Sequence, residues 1–267
     1  MDFFIIGSQR CGTTWVHKFL EEYDLNLPIN KQTYFFDRNI HLGLNWYHSQ
    51  FSNANSSYKK GEVATGYCLR EAFSELNRRF PDAKLILLVR DPIDRCYSNY
   101  AKRRDEYGSK SFVQVLNEDS EIIDRSLYGE MIENIYELGR ADDLLVLFYE
   151  DLATNPRDFA LKILDHIGVS YCKNKIELKL PGVVNSSRFS EISRWMRISH
   201  LGWLLRLLRV FRVKQALELI FKIKKRKNAK IPDISALDES ILFRLIESNE
   251  KLFKYTGRGY DLRDYSL

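Results

Sequence analysis

Two clusters in this chain combine cations and hydroxyls at spacings suited to holding anions. The first is Gly7-Ser8-Gln9-Arg10-Cys11-Gly12-Thr13-Thr14-Trp15. It follows a short apolar run at residues 3–6 and precedes a helical pattern. A strand that enters a glycine-bearing loop and then a helix makes an anion site. The N–H groups of the first helical turn have no intrahelical acceptor, and the helix dipole adds favourable partial charge. Glycines at both ends of the loop let the backbone approach phosphate oxygens closely. The second cluster is Arg90 with Ser98. Arg90 leaves the end of the apolar run 85–89, where ligands bind in open α/β sheets. Ser98 falls about two turns into the following helix, on the same general face. A guanidinium fork with a hydroxyl donor can clamp a phosphate.

The spacing G-x-x-x-x-G matches a nucleotide-binding P-loop, which continues as Lys-Ser/Thr. Here Thr13 holds the lysine position and the cation sits inside the loop, at Arg10. A kinase of that type would lack the lysine that bridges its phosphates. Plain alternatives stand beside both readings: a helix-opening turn without a ligand, and an arginine cap beside a packed serine.

The elements that must position these residues follow from periodicity. Residues 3–6, 85–89 and 144–148 are continuous apolar runs, as strands covered on both faces require. Trp15, Val16, Phe19, Leu20 and Tyr23 mark one face of a helix after the first run. Asp91 can cap a helix that opens with Pro92. Phe159, Ala160, Ile163, Leu164 and Ile167 mark another helix, closing near Gly168. Residues 126–139 and 237–255 also read as helical. Strands interleaved with helices predict an α/β fold, a parallel sheet of about four or five strands flanked by helices. The polar stretch at 53–60 reads as a loop. We expect one domain over 1–267, with an α/β nucleotide-binding core at 1–180 and a helical, basic extension at 181–267.

Composition narrows the class. The chain has 267 residues, 45% hydrophobic and 29% charged, enough for a sizeable core. With 13 Gly, 6 Pro and 4 Cys it is neither collagen-like, low-complexity nor a disulfide scaffold. Cys11, Cys68, Cys96 and Cys172 lie far apart without a C-x-x-C pair, and read as reduced thiols rather than a zinc site. No secretory signal or membrane-length apolar run is evident, so a soluble, cytoplasmic chain is expected. The net charge of +5 is uneven: residues 188–230 carry thirteen Lys and Arg against Glu191 and Glu218, a local +11 that leaves −6 elsewhere. Such a segment suits an anionic acceptor or membrane surface, or is simply a solvated basic face. Nucleic acid is not expected as a partner.

The motifs resemble those of sulfotransferases that use 3′-phosphoadenosine 5′-phosphosulfate (PAPS), especially the heparan- and other carbohydrate-type enzymes. FIIGSQRCGTTWVHKFL is similar to their 5′-phosphosulfate loop, and LILLVRDPIDRCYSNY to their 3′-phosphate motif R-[DN]-P-x-x-R-x-x-S-x-Y. KQTYFFDRN resembles their K-E-x-x-F-F-D stretch, GEVATGY their G-E-x-x-P-x-Y stretch, and LFYEDLATNP their strand with (E/D)-D-L. The likeness covers roughly residues 2–170 in order, and is loose beyond.

The resemblance implies a P-loop-like sulfotransferase fold and transfer of a sulfuryl group from PAPS to a hydroxyl of a carbohydrate, glycolipid or other small acceptor. It implies no metal, and the product nucleotide would be adenosine 3′,5′-bisphosphate (PAP). Cys11, Gly12, Thr13, Thr14 and Trp15 would line the 5′ end. Arg90 and Ser98 would hold the 3′-phosphate, with Arg188 near the nucleotide. Arg10 stands where many relatives have a lysine on the bridging oxygen; arginine stabilises charge there but does not readily give up a proton. The relatives' base is usually the Glu of K-E-x-x-F-F-D, and this chain has Gln32, which can orient a hydroxyl but not deprotonate it. Asp37 is the nearest carboxylate in the motif, with Glu62 at another strand end and His17, His41 and His48 as weaker candidates. The base has moved, or the residue is a substituted variant, or the acceptor needs little help. A P-loop small-molecule kinase and a non-catalytic nucleotide- or membrane-binding relative remain the alternatives.

Overall fold

The computed structural model describes residues 1–51, 57–170 and 234–262. The chain divides into two compact units, one of Met1–Gly182 with Pro232–Leu267 and one of Val183–Ile231. The described residues all belong to the first.

Five strands form its sheet: β1 (Phe3–Gly7), β2 (Leu25–Asn26), β3 (Lys59–Val63), β4 (Lys84–Val89) and β5 (Leu144–Phe148). All neighbours are parallel, in the order β2-β3-β1-β4-β5. β1 is buried throughout and β4 in all but its first residue, which is why both read as unbroken apolar runs. β5 lies at an edge and is only half-buried over its first three residues. Gly61 packs on the Phe3 ring, where a Cβ would overlap it.

The helices are α1 (Thr13–Leu20), α2 (Gly43–Ser49), α3 (Arg70–Arg79), α4 (Pro92–Lys102), α5 (Arg104–Tyr107), α6 (Phe112–Glu118), α7 (Ser120–Asp124), α8 (Tyr128–Glu137), α9 (Tyr149–Thr154), α10 (Pro156–Ile167) and α11 (Glu239–Thr256). α4 begins as its sequence requires: the Asp91 carboxylate accepts the Asp94 N–H at 2.9 Å and Pro92 takes the first position. Gly168 closes α10 in the left-handed region, φ 66°. The stretch at 53–60 differs from expectation, because Lys59 and Lys60 already pair in β3 with Leu25 and Asn26. Their polarity suits the half-exposed amino-terminal end of that strand, and 53–56 lie outside the described residues.

α11 packs on α8. The Ser248 hydroxyl accepts the Gly129 N–H at 3.0 Å, and a Cβ on Gly129 would overlap the Ser248 backbone. Lys251 adds an ion pair to Glu133 at 2.8 Å.

This topology opens a crevice at one place. The chain runs from β1 towards β2 and β3 on one side, and from β4 to β5 on the other. The connections leaving the adjacent carboxyl ends of β1 and β4 therefore diverge, the arrangement that makes ligand sites in open α/β sheets.

Candidate active site

Arg10 and Arg90 meet in that crevice. Arg10 sits in the β1–α1 loop at φ 73°, and its Nε donates to the Ser98 hydroxyl on α4 at 3.0 Å. Arg90 follows β4; its Nη1 reaches the Arg10 carbonyl at 3.5 Å, and another amino group pairs with Asp94 at 3.4 Å. The Arg90 guanidinium lies over the Tyr149 ring, 4.8 Å from its centroid. Its Nε is buried and, among the described residues, has no hydrogen-bond partner. Burial, and then the neighbouring Arg90, pull the Arg10 guanidinium's pKa below its ordinary value. An orphaned guanidinium nitrogen beside a second, partly desolvated guanidinium is an arrangement that an anion would complete.

The loop splits its residues between surface and core. Gly12 precedes α1 at φ 92° and offers no side-chain cap to the N–H groups of Thr13 and Thr14. Tyr149 and Leu152 of α9 pack so closely that a Cβ on Gly12 would sit 3.2 Å from each. Thr14 is exposed and Thr13 buried, yet both hydroxyls accept from the Lys31 ammonium, at 3.2 and 3.1 Å. Trp15 turns inward and stacks on Phe19 with centroids 5.4 Å apart, while its N–H goes back to Gly12. The Cys11 thiol is buried against the Tyr128 hydroxyl at 3.6 Å, and burial pushes it up to about 12, so it is no nucleophile. Arg188 lies outside the described residues.

The base candidates separate clearly. The Gln32 side-chain carbonyl accepts from both the Thr65 N–H and the Thr65 hydroxyl, at 3.1 and 3.3 Å. That leaves its NH2, a donor only. Asp37 lies in the single wide helical turn Phe35–Asn39 beside Gly66, the residue after Thr65; a Cβ on Gly66 would come within 2.8 Å of its carboxylate. Burial raises the Asp37 carboxyl, opposed by its own backbone N–H, Arg38 and Arg125. Its Oδ1 has no partner among the described residues.

Glu62 is fully buried. It accepts the Thr33 N–H at 2.5 Å and the hydroxyls of Tyr47 and Tyr67 at 2.9 and 3.2 Å. It thereby fastens the segment that carries Lys31 and Gln32, and has no path to an acceptor. His48 contacts Lys60 at 3.3 Å, near the amino end of β3 and so away from the carboxyl ends of the strands. His17 is buried and pairs with Glu21 at 3.5 Å, and His41 is exposed in the short turn Ile40–Leu42.

Three residues near the site lie within the quoted motifs but are given no role by them. Lys31 stands one position before Gln32 in KQTYFFD, and its reach to the loop is visible only in three dimensions. Tyr149 backs both Gly12 and Arg90. Glu150 accepts the Asp91 N–H at 3.1 Å and so steadies the turn bearing Arg90. Among the described residues no group of three or more His, Cys, Asp or Glu is placed to hold a metal ion.

Comparison with known proteins gives a consistent picture. The sulfotransferase domain family matches residues 1–196. Mouse heparan sulfate glucosamine 3-O-sulfotransferase 3B1 is 27% identical over 176 residues, 62% of this chain and 45% of that protein. Mouse bifunctional heparan sulfate N-deacetylase/N-sulfotransferase 4 is 35% identical over 112 residues, 38% of this chain and 13% of that protein. The match thus spans less than half the length of these curated relatives. A sulfotransferase from Alicyclobacillus acidocaldarius shares the fold with a TM-score of 0.66, at 18% identity over 98% of both chains.

Proposed function

The chain belongs to the sulfotransferase domain family, and from that premise we propose that it moves a sulfuryl group from PAPS to a hydroxyl of a carbohydrate, glycolipid or other small acceptor. One observation carries the reading: Arg10, Arg90 and Ser98, from motifs some eighty residues apart, gather at the carboxyl ends of β1 and β4. A donor with anions at both its 3′ and 5′ ends needs two such neighbouring cationic positions. The orphaned Arg90 Nε fits a phosphate oxygen.

Bound there, the nucleotide would supply an activated sulfuryl group. Arg90 and Ser98 hold its 3′-phosphate; the amides of Gly12, Thr13 and Thr14 hold its 5′ end. Arg10 stabilises the charge that grows on the leaving oxygen in an in-line transfer. The Gln32 NH2 orients the acceptor, and Asp37 is the carboxylate left to take its proton.

Isothermal titration with adenosine 3′,5′-bisphosphate tests the reading. Micromolar binding is expected; no binding, with ATP bound instead, would shift the reading to a P-loop kinase. A second experiment concerns the base. Gln32→Glu places a carboxylate where the Thr65 N–H and hydroxyl already donate, and turnover should rise about tenfold or more. Unchanged turnover would assign proton removal elsewhere.

Residues 188–230, Arg188 among them, lie outside the described residues. Their +11 charge fits an anionic acceptor, or peripheral contact of a cytoplasmic protein with an anionic membrane. Co-sedimentation with anionic vesicles should then weaken steeply as salt shortens the screening length from about 10 Å at 0.1 M. Equal recovery on neutral vesicles would remove the membrane partner.

A further inference from the structure

Three cations converge on the β1–α1 loop. Lys31 donates from Nζ to the hydroxyls of Thr13 and Thr14 at 3.1 and 3.2 Å. The charged groups whose fields reach it are Lys102, the last residue of α4, and Arg10 in the loop; Arg10 acts on Lys102 as well. All of these are positive. Such a cluster raises the energy of the unliganded protein, and an anion relieves it. The hydroxyls that Lys31 meets belong to the first turn of α1, which has no side-chain cap from Gly12. Thr13, moreover, stands at the position where a phosphate-binding loop of this spacing has its lysine.

We propose that Lys31 supplies the missing lysine from outside the loop, and that it takes up a proton as the 5′ end of the nucleotide binds. The proposal rests on the donor assigned above. Arginine at position 10 remains charged at any working pH, whereas a lysine amine can be neutral when desolvated. Burial, then Lys102 and Arg10, bring Lys31 down to about 8. At pH 8 about half of the unliganded molecules therefore carry a neutral amine there, and an adjacent phosphate restores the charged form.

The test is titration of the full chain with adenosine 3′,5′-bisphosphate at pH 8 in buffers of different ionisation enthalpy. Wild type should take up about half a proton per nucleotide bound at pH 8, and clearly less at pH 7. Lys31→Ala should bind roughly tenfold to a hundredfold more weakly and take up none. Lys31→Arg, always charged, should keep affinity within a few-fold and also lose the uptake. Circular dichroism would verify that each variant is folded. Wild-type uptake in Lys31→Arg, or wild-type affinity in folded Lys31→Ala, overturns the proposal and leaves the functional reading intact. If wild type fails to bind this nucleotide at all, the functional reading falls and the proposal with it.

Discussion

Arg10→Ala is expected to lower turnover about a hundredfold to a thousandfold, the usual loss when one donor to a developing oxyanion is removed. Nucleotide affinity should fall far less, because this contact strengthens as charge builds on the leaving oxygen. Arg90→Ala should do the reverse. It strips a charge-assisted clamp from the ground state and should cost about 1.5–3 kcal/mol of binding, tenfold to a hundredfold in affinity. The structure sharpens the contrast, since Arg10 Nε is already held by Ser98 at 3.0 Å while Arg90 Nε has no partner among the described residues. Paired measurements of PAP affinity and single-turnover rate separate the two. Equal losses in both quantities for both variants would mean that the arginines act as one undivided clamp.

The second large effect concerns stability. Glu62 accepts three buried donors, the Thr33 N–H and the Tyr47 and Tyr67 hydroxyls. Glu62→Ala leaves them unpaired at about 1–3 kcal/mol each, so a loss of about 4 kcal/mol or more is expected. For a chain of this size that lowers the thermal midpoint by roughly 10 °C. Burial raises the Glu62 carboxyl from 4.5 to about 7, against the hydrogen bonds that favour its ionised form. Between those values the folded chain holds a proton that the unfolded chain has released. Stability from this group is thus full below pH 4.5 and declines as pH rises through 7, by about 3 kcal/mol in all. Denaturant titrations of wild type and Glu62→Gln at pH 5 and pH 8 check it. The gap between them should narrow at the higher pH, and a gap that stays the same would show that Glu62 is ionised in the folded chain at both pH values.

Much of this was legible in the chain itself. β1, β4, β5 and the helices after them follow from apolar runs with proper start and stop signals, because central strands and amphipathic helices must write their burial into the sequence. β2 has two residues and writes nothing. At Trp15 the motif and the periodicity disagree. One puts it at the ligand and the other on the apolar face of α1, and the indole follows the periodicity. Lys31 is given no role by its motif, and Glu62 reads as a candidate base rather than a buried anchor, for a shared reason. Their roles depend on which side of an irregular segment faces the loop and which faces the core, and spacing does not encode that. Gln32 shows the opposite case: the loss of a proton acceptor is plain from the letter alone, whereas its anchoring by Thr65 is not.

Arg10 keeps a backbone conformation that side chains with a Cβ avoid, φ 73°, at a cost on the order of 1 kcal/mol. Glycine or asparagine would occupy it more cheaply. The same position therefore sets durability against chemistry. A laboratory screen that rewards heat resistance alone is free to discard this arginine, and its winners would be well-folded proteins that no longer turn over. Directed evolution of this scaffold should select on product formation from the first round, and should seek its added robustness at sites remote from the loop.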